Sequence, residues 1–271
     1  MTSVHSHKRF VITGVTSGIG RDLALLLNEQ GARLALIGLE EDELMSLREE
    51  LGRAAPEVLL FQADVSNPER MDAIATEILA LWGGVDVVIA NAGIGCLNPA
   101  YAFSLELDRR VFHVNYFGML HTFTPFLRSM RLQNQGSLVA ISSLAAFRGV
   151  GCASSYCASK AAQMRALESL RIDLKPFGID VISIHPGFVT TRMAEHREFA
   201  MPFAIPVRKA SQEILKAIAR RKTRHLFPWP MKILVQLNRL LPGPIYDRLH
   251  GWVAQRQGRK QPIYLGFASE T

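Results

Sequence analysis

The sequence predicts a single-domain α/β fold, a doubly wound parallel sheet in three α/β/α layers. Three observations lead there. The first 190 or so residues alternate short aliphatic or β-branched runs with longer amphipathic segments, the pattern of strand–helix units winding a parallel sheet. Several of the short runs are apolar throughout, as strands are when helices cover both faces. At 271 residues and 48% hydrophobic, the chain can bury one sizeable core.

In chain order, the run RFVIT at Arg9–Thr13 is the first strand, and a helix follows at Gly18–Glu29 after a glycine-rich turn. Strand 34–38 leads to helix Glu41–Leu51, and strand 58–63 to helix Pro68–Trp82, where Pro68 sits as a first-turn proline after Asn67. Strand 85–90 precedes one long helix over 105–131, strand 137–142 precedes helix 155–175, and strand 180–185 closes the alternation. A loop rich in Phe, Met and Pro (188–208) then leads to a basic helix near 211–221 and a seventh strand at 223–227. PWP and PGP break the remainder into short helical pieces at 231–241 and 245–253. Residues 1–222 are thus expected to form the body, and 223–271 a basic, apolar extension packed on it.

Charge is uneven. Residues 1–207 hold 18 Lys and Arg against 21 Asp and Glu, a net −3, whereas 208–271 hold 13 against 3, a net +10. The basic residues of the last quarter are mixed with Pro, Leu and Ile rather than forming a stripe, which argues against nucleic acid as a partner. No secretion signal or stretch of 18 apolar residues is present, so a cytoplasmic protein is expected. Cys96, Cys152 and Cys157 form no C-x-x-C pair and the histidines lack ligand spacing, so no metal is expected.

Between the first strand and helix stands Thr13-Gly14-Val15-Thr16-Ser17-Gly18-Ile19-Gly20. Gly14 permits the tight turn, Gly18 lets backbone approach a pyrophosphate, and Gly20 allows close packing, while the helix N-terminus offers free N–H groups to an anion. With a strand before it and a helix after it, this run predicts a Rossmann-like dinucleotide site.

The TGxxxGIG spacing resembles the short-chain dehydrogenase/reductase family, and the resemblance extends over roughly residues 9–193. Asp64-Val65 matches the family's adenine-contacting pair. Asn91-Ala92-Gly93 matches most of its NNAG element, with Ala90 in place of the first asparagine. The resemblance implies a cofactor, NAD or NADP. The residues that choose between them in the family fall near Gly38, Leu39 and Ser17, none of which decides; Glu40 and Glu41 would repel a 2′-phosphate if they faced it and lean the reading to NAD, or else are solvated first-turn acids.

Tyr156-Cys157-Ala158-Ser159-Lys160 sets a phenol and an ammonium four residues apart on one helix face. An ammonium at ~4 Å and an effective dielectric of ~20 favours the phenolate by roughly 4 kcal/mol before desolvation, enough in principle to lower its pKa by ~2 to 3. Ser143 ends the fifth strand, where parallel sheets present ligand-binding residues. Asn115 lies in an otherwise apolar helix and calls for a partner. In the family, the matching serine holds the substrate oxygen, the matching asparagine steadies a water leading to the lysine, and the four positions occur in this order. Downstream, Pro186-Gly187-Phe188-Val189-Thr190-Thr191 resembles the PG-x-V-x-T element, in which the backbone at Val189 reads the nicotinamide carboxamide and Thr191 bonds the carboxamide or a phosphate. His185 reads as a strand-end residue rather than a base.

The implied activity is NAD(P)-dependent hydride transfer between a carbonyl and a secondary alcohol. A non-catalytic dinucleotide-binding protein would tolerate loss of Tyr156 or Lys160, and both stand. A nucleotide-sugar epimerase or dehydratase would carry TGxxGxxG and a larger substrate domain. Segments 94–101, 144–152 and 188–206 are expected to line the pocket, with Phe103 nearby and Phe147, Phe188, Met193, Phe199, Met201 and Phe203 fitting an apolar substrate. Helices 105–131 and 155–175 resemble those through which the family forms dimers and tetramers. The apolar, cationic stretch 223–253 is expected to form either a lid that also makes a peripheral membrane contact or an ordinary packed or oligomeric surface.

Overall fold

A computed structural model describes residues 5–52, 57–191, 201–257 and 263–265. In chain order the elements are β1 (Arg9–Thr13), α1 (Gly18–Glu29), β2 (Arg33–Gly38), α2 (Glu41–Leu51), β3 (Val58–Gln62), α3 (Pro68–Trp82), β4 (Val87–Ala90), β5 (Gly95–Leu97), α4 (Leu105–Phe112), α5 (Gly118–Gln133), β6 (Gly136–Ile141), α6 (Ser154–Leu174), β7 (Ile179–Pro186), β8 (Val189–Thr190), β9 (Ile205–Pro206), α7 (Val207–Ala219), β10 (Arg224–Phe227), α8 (Trp229–Leu240), α9 (Gly243–Gln257) and β11 (Ile263–Leu265).

Seven of the strands form one parallel sheet in the order β10-β7-β6-β4-β1-β2-β3. Alternate residues of each strand feed two cores. Phe10 and Ile12 of β1 join Leu23, Leu27, Leu47 and Ile214 on the side of α1, α2 and α7. Val11 joins Ile74, Phe123, Phe126 and Leu167 on the side of α3, α5 and α6. The period of two in a strand thus explains why both faces are apolar and both are covered. The sheet runs past residue 222, because β10 pairs with β7 from Arg224 opposite Ser183 to Phe227 opposite Pro186.

Two expectations change. The helix expected as one piece over 105–131 is α4 and α5 joined by a π turn at His113–Phe117. Such a turn inserts one residue into the helical ladder and redirects a side chain, here the fully buried Asn115. The fourth strand starts at Val87 rather than 85, because Asp86 turns its carboxylate onto the Arg9 amide at 2.8 Å and onto its guanidinium at 2.9 and 3.0 Å. The order of strands reverses between β1 and β4, so the loops after these two strands face each other at the switch point, where open parallel sheets bind ligands.

Candidate active site

The loop after β1 is fixed by backbone contacts. Gly14 has φ +68°, and a Cβ there would lie 2.7 Å from Ala92 Cα; one on Gly20 would lie 2.1 Å from the Gly14 carbonyl oxygen. Asn91 Nδ2 donates to the carbonyls of Thr13 (3.1 Å) and Gly14 (2.9 Å), while Thr13 Oγ1 accepts from the amides of Asn91 and Ala92. The loop after β4 therefore staples the loop after β1. Gly18 (φ +55°) faces Thr191, whose Cγ2 would lie 3.2 Å from a Cβ, so the segment after β7 closes the same cradle. Ser17 precedes α1 without a side-chain cap bond, leaving the first turn of that helix open to an anion.

Further along the cradle, Gly38 ends β2 against Thr16 and Leu44, where a Cβ would come within 2.5 Å of Thr16 Cγ2. A side chain at position 38 would have to displace the Thr16 and Leu44 side chains. Two residues later, Glu40 Oε2 is shielded from solvent and has no hydrogen-bond partner, whereas Glu41 is exposed in the first turn of α2. Asp64 is exposed and caps the Ser66 amide at 2.8 Å. Val65 packs where a Cβ of Gly118 would stand, and its carbonyl meets His121 Nδ1 at 3.0 Å. A glycine cradle, an open helix start and a shielded acceptor without a donor fit a dinucleotide.

At the other end, Lys160 is buried with Nζ donating to the Ile141 carbonyl at 3.0 Å, and it lies 5.8 Å from the centroid of the Tyr156 ring. A Cβ on Gly93 would stand 3.1 Å from Asn115 Oδ1 and 3.4 Å from Lys160 Nζ. Asn115 is fully satisfied: its Oδ1 accepts from the Ile94 amide at 2.8 Å, and its Nδ2 donates to the Ile94 carbonyl and to Ser159 Oγ, each at 3.0 Å. Desolvation lowers the Lys160 ammonium to about 7. The electrostatic help it can give a phenolate is therefore offset by the cost of its own burial. Ser143, two residues beyond Ile141, accepts from the Ala145 amide at 3.1 Å and keeps its own proton to donate. Its carbonyl meets Nδ1 of the buried His185 at 3.0 Å.

The motifs and the spacing of these groups agree with a wider comparison. A family model described as short chain dehydrogenase matches residues 8–200. The chain belongs to the short-chain dehydrogenase/reductase family. It is an oxidoreductase. It is 36% identical over 245 residues to an uncharacterized oxidoreductase of Myxococcus xanthus, covering 89% of this chain and 96% of that protein. To dehydrogenase/reductase SDR family member 7B of Bos taurus it is 33% identical over 270 residues, covering 93% and 82%. Among solved structures, a short-chain dehydrogenase/reductase from Burkholderia phymatum in complex with NAD superposes with a TM-score of 0.80 at 26% identity, covering 87% and 94%.

Within this short-chain dehydrogenase, two supporting residues escaped the sequence reading. Ser159 links Asn115 to the Tyr156 carbonyl, donating to the latter at 2.9 Å. Gln163 Nε2 donates to the Asn115 carbonyl at 2.5 Å. Both sit three and seven residues after Tyr156, the face that also carries Lys160, and a polar stripe at that spacing is their only signal. His185, expected as a strand-end residue, tilts its ring against Phe147 at 4.9 Å and holds the segment that carries Ser143. Of the expected pocket residues, Phe103 and Phe203 are exposed, Phe147 and Phe188 are half-buried, and Met193 and Phe199 lie outside the described residues.

Proposed function

We propose that this oxidoreductase is an NAD-preferring ketoreductase or alcohol dehydrogenase for an apolar carbonyl compound and its secondary alcohol, with Tyr156 carrying the proton. The observation that carries the reading is the convergence of Gly93, Asn115 and Lys160 on one buried point beside Tyr156. When bound, the nicotinamide supplies the hydride. Ser143 donates its free proton to the substrate oxygen, and Tyr156 delivers a proton to that oxygen in reduction and withdraws it in oxidation. Lys160, lowered to about 7, exchanges its own proton readily near neutrality and in its charged form favours the phenolate. Asn115 holds Ile94 and Ser159 so that this corner keeps its shape. Gly14, Thr16, Ser17, Gly18, Ile19 and Gly20 cradle the pyrophosphate; Asp64 and Val65 border the adenine; Asn91, Ala92 and Gly93 back the riboses; Pro186, Gly187, Val189 and Thr191 orient the carboxamide.

Preference for NAD rests on Glu40, whose unpartnered Oε2 suits a ribose hydroxyl and repels a phosphate. Three unbridged cysteines support a reducing, cytoplasmic setting. Exposed Leu105, Phe117 and Ile172, on α4, the π turn and α6, support a homodimer or homotetramer through these helices. The test is a panel of ketones and secondary alcohols run with both dinucleotides, with Glu40→Gln alongside. Turnover with NAD, and roughly tenfold weaker NAD binding in the variant, are expected for loss of one charged hydrogen bond. Stoichiometric dinucleotide binding with no turnover on any member of the panel would replace the reading with a non-catalytic one.

A further inference from the structure

The helix α8 is apolar on the wrong side. Its inner positions Met231, Val235 and Asn238 face the body and are buried or half-buried, while Trp229, Ile233, Leu237 and Leu240, spaced by four, four and three residues, lie along its exposed face. Trp229 is 73% and Leu240 81% exposed. The helix α9 adds the exposed Ile245 and Leu249 beside this stripe. Exposed cations flank it at Lys232, Arg239 and Arg248, against a single carboxylate in the two helices, Asp247. Among the described residues, these six apolar side chains find no burial within the chain.

The pair of helices is also pinned to the active site. Arg148, five residues after Ser143, donates from Nη1 to the carbonyls of Asn238 (2.5 Å) and Leu241 (2.8 Å) that end α8. Its guanidinium lies 3.9 Å from the centroid of Tyr246 in α9, and the Tyr246 hydroxyl donates back to the Gly149 carbonyl at 2.6 Å. Arg239 of α8 stands over the ring of Phe147 at 5.3 Å. The segment that carries Ser143 is therefore bolted to the helices that expose the apolar stripe.

We propose that α8 and α9 form a docking face for an anionic lipid surface, and that the substrate enters the site from that surface; the second half rests on the oxidoreductase reading above. Two features select lipid over a second copy of the chain. A symmetric contact through this face would set Lys232, Arg239 and Arg248 against their own copies with only Asp247 to pair them, in a region that carries 13 basic residues against 3 acidic over 208–271. An anionic bilayer takes the apolar stripe into its acyl boundary and sets phosphates against the flanking cations, the pairing that interfacial helices use. Among the described residues no helix is long and apolar enough to cross a membrane, so the helices would lie on the surface rather than span it.

The test is co-sedimentation of the full chain with vesicles of phosphatidylcholine and of phosphatidylcholine mixed with phosphatidylglycerol, at low and high salt. Binding to the phosphatidylglycerol vesicles, weakened by salt, is expected. The double variant Leu237→Glu, Leu240→Glu should lose that binding at least about tenfold while keeping its dinucleotide affinity and its turnover of a water-soluble ketone. No binding at low salt, or binding that the double variant leaves unchanged, ends the proposal. A molecular mass in solution that the double variant halves overturns it in favour of a second copy on this face. Substrate entry has its own readout: an apolar ketone dissolved in phosphatidylglycerol vesicles should turn over faster than the same ketone in neutral vesicles, and the double variant should erase the difference. Equal rates reject entry from the surface. Vesicle binding without turnover of any ketone leaves the docking face standing and removes the ketoreductase reading instead.

Discussion

A Cβ added to Gly20 would fall 2.1 Å from a backbone oxygen, whereas Leu240 projects with four-fifths of its surface in solvent. These residues mark two ways of building one site. The dinucleotide end is over-determined: Asn91 and Thr13 stitch two loops together through four hydrogen bonds, and the glycines are imposed by backbone contact. The far end is under-determined. The helices α8 and α9 are held by Arg148, Tyr246, Arg239 and Met231, while Trp229, Ile233, Leu237, Leu240, Ile245 and Leu249 stay exposed among the described residues. The contrast follows from what each end must recognise. A pyrophosphate is small and invariant, so its cradle can be rigid; an extended apolar surface is recognised by area, which needs exposed side chains rather than fixed hydrogen bonds.

Two substitutions break or sharpen this contrast. Gly20→Ala should cost more than about 3 kcal/mol of stability, since neither the Gly14 carbonyl nor Asn91 can retreat without opening the loop. Leu240→Ser should change stability by less than about 0.5 kcal/mol, because the side chain buries little in the isolated chain. Urea denaturation of both variants decides it. A small loss for Gly20→Ala would mean that the cradle is not rigid, and a large loss for Leu240→Ser would mean that the outer face of α8 is covered.

The chemistry should separate cleanly from that framework. Tyr156→Phe keeps the ring beside Lys160 and removes the hydroxyl that carries the proton, so kcat should fall by at least about a hundredfold while dinucleotide affinity stays within about twofold. Fluorescence titration and steady-state kinetics on the same preparation measure the two quantities. A variant that turns over at the wild-type rate would remove Tyr156 from the proton path.

The same contrast explains what could be read from the amino-acid order. The strands and the loop after β1 were legible because each is dictated locally, by an aliphatic run or by a glycine that no other residue can replace. Tyr156 and Lys160 could be singled out because helical spacing puts them on one face and because Ser143 and Asn115 stand in the order the family resemblance implies. The π turn was not, since it depends on Asn115 finding Ile94 and Ser159, partners 21 and 44 residues away. Glu40 and Glu41 were indistinguishable as letters; burial separates them, leaving one shielded and one in water. The surplus of apolar residues after 223 was visible, yet which of them face solvent depends on how Arg148 and Tyr246 seat the helices. Trp252, part of that surplus, lies outside the residues whose side chains are described.

His185 offers the finest test, because it titrates inside the wall between the two ends. A carbonyl can only accept, so the 3.0 Å contact with Ser143 places a proton on Nδ1, while Nε2 faces the Ser183 hydroxyl at 3.1 Å, a hydroxyl also within reach of the Thr223 carbonyl at 3.4 Å. A second proton would put a charge where no water reaches, and burial lowers His185 from 6.5 to about 4. The sign follows from which state binds the proton. Between those two values the unfolded chain takes it up and the folded chain does not, so stability falls as pH drops from about 6.5, and the loss is complete once pH passes below about 4. One proton limits the slope to about 1.4 kcal/mol per pH unit. His5 and His225 are lowered as well, chiefly by burial, and act in the same direction, so the wild-type curve alone does not isolate His185. The difference from His185→Gln does, because that variant removes the titration while Gln can still donate within the same space. Urea denaturation in steps from pH 7 to pH 4 should give a shallower decline for the variant. Parallel curves would mean that His185 is already protonated in the fold, and that the Ser143 wall is wetter than its contacts imply.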